Sequence, residues 1–158
     1  QMCIRDSSYT RNNTVLLAGV NGWANAFGEI GIAYHDEQRN AKKGSITGLA
    51  FLSAEFRIDQ KTTIIGPKIG ISMYGQRRIG ICGGASVIYY SGMGNSSFVA
   101  RPELGIHIGA LRLVYGYNHS FTNYTFDAVS QHNISAIFGI RIDRGKENAK
   151  VVKNDYSF

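Results

Sequence analysis

FVARPELGIHIGALRLVYGYN, residues 98–118, decides the fold of this chain. Alternate residues are apolar along both halves of the stretch, and this period of two predicts β-strands rather than helices. Gly109-Ala110 has the composition of a two-residue hairpin turn with glycine first, so we expect His107 to face Arg112 across the hairpin. In that register both strands agree on one aliphatic face and on a second face that carries glycine and charge.

The same alternation recurs along the chain and predicts an all-β protein. The segments that carry it are joined by turn-like sequences, of which Asn21-Gly22 is the first. Polar stretches at 36–44, 91–97 and 121–130 are expected to be loops. The fold class that follows is an eight-stranded antiparallel up-and-down transmembrane β-barrel. The expected strands are residues 14–20, 23–35, 45–57, 63–74, 79–90, 98–108, 111–118 and 132–142.

A chain of 158 residues has room for one domain. We expect the barrel domain to cover residues 14–142. The opening residues, QMCIRDS, do not resemble native protein sequence, so residues 1–13 are expected to be a non-native or disordered segment. Residues 143–158 are expected to form a charged C-terminal tail.

The contrast between the two strand faces indicates that the protein lies in an outer membrane. No run approaches the ~20 apolar residues of a spanning helix, but a spanning strand needs only about 9 to 11 residues with one apolar face. The aliphatic face has no charge between strand ends, as lipid requires. Pro67 and Pro102 oppose this interpretation, since each removes a ladder hydrogen bond, and we expect each at a bulge or near a rim. The alternative is a soluble lipocalin-like barrel with a small apolar ligand inside.

The second face carries charges of both signs among glycines, which suits a narrow, polar, plugged interior. Three segments share the order charge, aliphatic, glycine, isoleucine and begin at Glu29, Lys68 and Glu103. This echo predicts that the three charges lie near one level of the barrel. The full interior charge network predicted from strand parity is Glu29, Glu55, Arg57, Lys68, Arg101, Glu103, His107, Arg112 and Arg141.

Three segments carry a resemblance to a known group: IGPKIG at 65–70, RPELG at 101–105 and VYGYN at 114–118. The chain resembles small uncharacterised outer-membrane β-barrel proteins of Gram-negative, flavobacterial-type bacteria. The resemblance implies a barrel in the cell outer membrane and no assigned activity. Such barrels commonly end on a strand closed by a terminal aromatic residue, whereas here a charged tail runs on to Phe158.

Some eight-stranded outer-membrane barrels modify lipid A with His and Ser residues near the rim. The candidates here are His35, His119, Ser120 and His132, but adjacent residues of a strand point to opposite faces, so His119 and Ser120 do not pair as base and nucleophile. We therefore expect no catalytic, metal or cofactor site, and a lipid-modifying enzyme stays as a further alternative. The net charge of +6 is dispersed and accompanies no nucleic-acid motif. Expected partners are outer-membrane lipids and a surface protein or glycan held by the loops, with the protein itself a monomer.

Overall fold

In a computed structural model of the chain, one antiparallel sheet closes on itself to form a barrel. The structure describes residues 7–40, 44–58, 63–75, 79–92, 94–122, 126–142 and 147–151. From the first to the seventh, each strand pairs with the next in sequence; the seventh then pairs with the ninth, and the ninth pairs with the first, which completes the closure. Among the described residues no helix is long and apolar enough to cross a membrane.

Eight strands form the barrel wall, as predicted from the sequence. The seventh is continued by a two-residue strand that pairs with the sixth, and a tenth strand pairs with the beginning of the first. The eight-stranded antiparallel barrel is thereby confirmed. In chain order the strands are β1 Ser7–Gly22, β2 Phe27–Asn40, β3 Gly44–Ile58, β4 Thr63–Gly75, β5 Ile79–Gly92, β6 Asn95–Ile108, β7 Leu111–Tyr117, β8 His119–Ser120, β9 His132–Arg141 and β10 Glu147–Val151.

The hairpin of β6 and β7 has the register predicted from its sequence. His107 pairs with Arg112, and the turn between the strands is Gly109-Ala110. Gly109 has a φ of 60°, the left-handed value that the first position of a primed hairpin turn requires and that glycine adopts without strain.

The two ends of the barrel differ, and we name them for what they carry. The terminal end holds the start of β1 at Ser7, strand β10 and the Gly109-Ala110 turn. The loop end holds the turn at 23–26 and the connection from β8 to β9.

Several strands are longer than predicted. β1 begins at Ser7, inside the segment 1–13 that was expected to lie outside the barrel, and β2 continues to Asn40 through the predicted loop at 36–44. The two extensions pair with each other, Asn13 with His35 and Thr10 with Gln38. Backbone hydrogen bonds thus continue the ladder past the point where apolar alternation ends, which is why the pattern underestimated both strands.

Three further boundaries are corrected by the structure. The first turn lies at 23–26 rather than at Asn21-Gly22, and the predicted loop at 91–97 is the closely paired end of the β5–β6 hairpin, where Gly92 pairs with Asn95. Gly94, with a φ of 77°, permits this tight reversal. β10 lies within the predicted tail; residues 1–6, 143–146 and 152–158 are outside the described part of the chain.

Pro67 and Pro102 lie within strands, in gaps of the ladder and not at bulges. β4 and β5 are paired at Ile65 and again at Lys68, with no pair at Pro67 and no change of register. Pro102 lies in the corresponding gap on β6, between its pairing with β7 and its pairing with β8. The missing N–H of each proline is therefore accommodated by interrupting one ladder, while the ladder on the other side of the strand continues.

Inward side chains form four layers along the lumen. At the loop end an apolar cluster closes the barrel, followed by a charged layer, a second apolar cluster and a polar layer at the terminal end. The first cluster is Phe27, Ile64, Ile88, Tyr90, Val99 and Phe126, and the second is Val15, Leu17, Ala33, Leu49, Phe51 and Ile137. The charged layer is therefore separated from both ends by apolar side chains.

Candidate functional site: the charged layer of the lumen

Lys68 is the centre of the charged layer, which comprises Glu29, Glu55, Lys68, Arg101 and Glu103, all buried. Its Nζ lies 3.3 Å from a carboxylate oxygen of each of the three glutamates. The predicted meeting of Glu29, Lys68 and Glu103 at one level is confirmed by these distances. Alternation places all three inside, and the strand stagger brings them together.

Arg101 uses all of its guanidinium nitrogens. Nη1 and Nη2 donate to the two oxygens of Glu55 at 2.5 and 3.2 Å, Nη2 also donates to the Tyr90 hydroxyl at 2.7 Å, and Nε donates to Asn118 Oδ1 at 2.6 Å. Tyr90 in turn donates to Glu55. This bidentate contact fixes the relative orientation of Arg101 and Glu55 and also pairs their charges, whereas a lysine would only pair the charge.

Neutral side chains complete the layer. Ser53 Oγ and Asn21 Nδ2 donate to Glu29 at 2.7 and 3.1 Å, and Ser86 Oγ donates to Glu103 at 3.2 Å. With these contacts the network connects side chains from β1 through β6 and, by way of Asn118, the chain after β7. The layer therefore holds the closed wall together from inside.

Glycine makes room for the long side chains of this layer, as the sequence predicted. A Cβ at Gly116 would lie 2.7 Å from Cδ of Arg101, and one at Gly66 would lie 2.6 Å from the ring of Tyr90. Two non-bonded carbon atoms do not approach each other as closely as either of these distances. Arg101 and Tyr90 thus occupy space that any other residue at those two positions would fill.

The arrangement is suited to structural work. Three carboxylates face two cations in a buried layer with an apolar cluster on each side, and each charge has an oppositely charged partner. Breaking such a buried network leaves an uncompensated charge, which is strongly destabilising. A network of this kind resists rearrangement, and it fills the lumen where a pore or a proton pathway would have to pass.

The remaining members of the predicted interior network lie elsewhere. Arg57 is half-buried at the loop end of β3, whereas His107 and Arg112 are buried at the terminal end, where Arg141 is exposed. The structure thus brings together five of the nine predicted residues, the charged layer defined above, and distributes the other four between the two ends.

The histidine and serine candidates for catalysis are not brought together. His119 points outward and contacts the Phe121 ring, with ring centroids 5.1 Å apart, whereas Ser120 Oγ lies 3.1 Å from Ser97 Oγ. His132 Nδ1 is hydrogen-bonded to the Tyr115 hydroxyl at 2.6 Å on the outer surface. His35 is at the terminal end, where its Nε2 is hydrogen-bonded to the Tyr74 hydroxyl.

Phe126 closes the loop end, and sequence reasoning placed it in an exposed loop. Its side chain is buried in the first apolar cluster, and Ala128 and Val129 pack against the same cluster. Side-chain hydrogen bonds help to fix this connection: Asn118 Nδ2 donates to Ser130 O at 2.6 Å, and Asn25 Nδ2 donates to Ala128 O at 3.3 Å. The sequence feature that could have indicated this buried position is the presence of apolar residues in an otherwise polar loop.

Comparison of the chain with protein-family models, with curated proteins and with solved structures found no match. Within the described residues, no group of three or more His, Cys, Asp or Glu side chains is placed to hold a metal ion.

Proposed function

We propose that this chain is a small outer-membrane β-barrel protein with a polar, plugged interior, and that it has a structural or surface-binding role. The observation that carries the proposal is the inversion of its two faces: lysine, arginine and glutamate are buried, while large aliphatic side chains cover the outside. A protein in water has the opposite preference. The exposed aliphatic set includes Ile30, Ile32, Leu52, Ile69, Ile71, Ile81, Leu104, Ile106, Ile134 and Ile140.

The height of the apolar surface supports a bilayer as its surroundings. On β5 the outward residues are apolar from Ile79 to Tyr89. At ~3.3 Å per residue and a strand tilt of ~40°, this stretch covers roughly 25 Å, the height of the lipid-facing band in such barrels. Among the outward-facing strand residues whose side chains the structure describes, a single one, Asp36, is an Asp, Glu, Lys or Arg. It follows Tyr34 near the terminal end.

Aromatic side chains collect on the outside of the loop end. Trp23, Tyr115 and Tyr117 surround the His132 ring, with centroid distances of 6.3, 6.0 and 5.7 Å. Side chains with an apolar body and a polar tip favour the boundary between lipid and water. We therefore assign the loop end to one membrane surface.

The surface-binding part of the proposal rests on the connection between β8 and β9. It is anchored by buried Phe126, while Phe121 and Asp127 are exposed. A loop fixed at its base presents its exposed residues in a defined arrangement. Candidate partners are a surface protein or a glycan.

The first experiment expresses the chain with a secretion signal in a Gram-negative host, followed by membrane fractionation and electrophoresis with and without boiling. We expect a protein that requires detergent, fractionates with the outer membrane and changes mobility on boiling, because a closed barrel resists unfolding by detergent until it is heated. A protein that remains in buffer and binds no membrane would refute the proposal and favour the soluble carrier.

A further inference from the structure

The polar layer at the terminal end contains buried polar atoms that have no hydrogen-bond partner among the described residues. Within the described residues, no hydrogen bond is made by Nδ1 of His35, Nδ1 of His107, Oγ1 of Thr47 or either terminal nitrogen of Arg112. All four residues lie at the terminal end of their strands. No atom of the charged layer belongs to this set, so the lack of partners is a property of this end of the barrel.

Arg112 differs most from what is usual for a buried charge. Its side chain is only 7% exposed, and the aromatic contact of its guanidinium is with the Phe51 ring, 5.9 Å from Cζ to centroid. Arg101, by contrast, meets a carboxylate, a phenol and an amide. A buried guanidinium without an anion is costly, so its surroundings are suited to receiving one.

A cavity of about 260 Å³ lies beside Arg112. His35, Tyr74, His107 and Arg141 line it together with Arg112. Exposed residues of the Gly109-Ala110 turn also line it, which shows that the cavity opens at the terminal end.

Positive charge predominates around the cavity among the described residues. Arg112 and Arg141 line it, and Arg11 is near enough to act electrostatically on His35. The acidic groups that act on His35 are Asp36 and Glu37. Among the described residues, the charged side chains that line the cavity are thus those of Arg112 and Arg141, and Arg11, Asp36 and Glu37 do not line it.

We propose that this cavity is a binding site for a phosphate group, with Arg112 as its principal ligand. A guanidinium offers two parallel N–H donors that match the oxygens of phosphate. The cavity is lined by His35 on β2, His107 on β6, Tyr74 on β4 and Arg141 on β9. Hydrogen-bond donors therefore come from several directions. A tetrahedral oxyanion accepts from more of these directions than a planar carboxylate does. Arg112 lines the cavity with both terminal nitrogens buried, so contact with a bound anion requires its side chain to rotate toward the cavity. The site is inside the barrel, so this proposal is independent of the membrane assignment.

The test uses the full chain, folded in a maltoside detergent and a buffer without phosphate or sulfate. Isothermal titration with inorganic phosphate, at an ionic strength held constant with chloride, measures free phosphate. A second arm adds phosphatidic acid to the micelles, with diacylglycerol as its uncharged control. The variants are Arg112→Gln and, as a matched control at the loop end, Arg57→Gln. Far-ultraviolet circular dichroism establishes that each variant keeps its β-structure.

We expect saturable phosphate binding that Arg112→Gln weakens by about tenfold or more and that Arg57→Gln leaves unchanged. Binding of phosphatidic acid alone, with the same dependence on Arg112, supports the site and identifies a lipid head group as the source. If Arg112→Gln does not fold, Arg112→Lys replaces it, since lysine keeps the charge but lacks the fork, and weaker binding is again expected. The proposal is overturned if neither probe binds, or if the Arg112 variant that folds binds as the unaltered chain does.

Discussion

Replacing Lys68 by Met removes the cation on which the charged layer converges. At 3.3 Å and an effective dielectric constant of ~20, each of its three carboxylate contacts carries about 5 kcal/mol of Coulomb attraction, and the three together about 15 kcal/mol. The variant no longer has to desolvate the ammonium, and the carboxylates relax, so most of that sum is offset. Measured losses on removing one partner of a buried charge pair are about 3–5 kcal/mol, and we expect a loss of that size in the free energy of unfolding.

The assay is urea unfolding of the barrel in vesicles, followed by fluorescence of the single tryptophan, Trp23, and by gel mobility. Arg57→Met is the matched control: it removes a half-buried cation at the loop end, and we expect it to cost less than about 1 kcal/mol. The double variant Lys68→Met with Glu103→Gln should recover part of the loss, because it also removes one of the unpaired carboxylates. A Lys68→Met loss as small as the control's, or no recovery in the double variant, would refute the account of the charged layer.

Three further substitutions test other parts of the structure. Gly116→Val should cost about 1–3 kcal/mol, since its Cβ meets the pinned side chain of Arg101; an unchanged urea midpoint contradicts the packing argument. Phe126→Ala should cost about 3 kcal/mol and make the β8–β9 connection sensitive to protease, and equal protease resistance would show that the cap does not depend on the ring. Ile69→Lys should reduce vesicle insertion by ~2–4 kcal/mol, whereas Ser91→Lys near the rim has little effect; equal insertion of both variants opposes a lipid-facing surface.

Strand parity predicted which side chains face inward but not how deep each one lies. Glu29, Lys68 and Glu103 share a local pattern, and this was enough to predict their meeting. Arg57 and Arg112 have the same inward parity but lie at opposite ends, since Arg57 is the last-but-one residue of β3 and Arg112 is the second residue of β7, which runs in the same direction; which of the other inward charges share a level depends on the stagger between neighbouring strands. Stagger is a property of the closed sheet, and no single strand sequence contains it.

Strand ends were the other limit of prediction. Apolar alternation stops where the aliphatic surface stops, yet backbone pairing of β1 and β2 continues to Tyr9 and Arg39. Hydrogen bonds between main chains depend little on side-chain type, so polar strand extensions look like loops in sequence. The cap formed by Phe126 escaped prediction for a related reason, since one aromatic residue in a polar segment has no periodicity to reveal it.

The order of the four lumen layers restricts where this protein can act. An aqueous pathway would have to cross two apolar clusters and the charged layer between them, where Arg101 and Lys68 are held by carboxylates. Opening that path would unpair buried charges in a region of low dielectric, at a cost comparable to the total stability of a small domain. The terminal end faces no such barrier, because its cavity opens directly at the mouth and no carboxylate of the described residues is hydrogen-bonded to Arg112. Under the proposals above, binding of a small anion inside this barrel is therefore expected at the terminal end, and recognition of larger partners is expected at the outer surface and at the connection at the loop end.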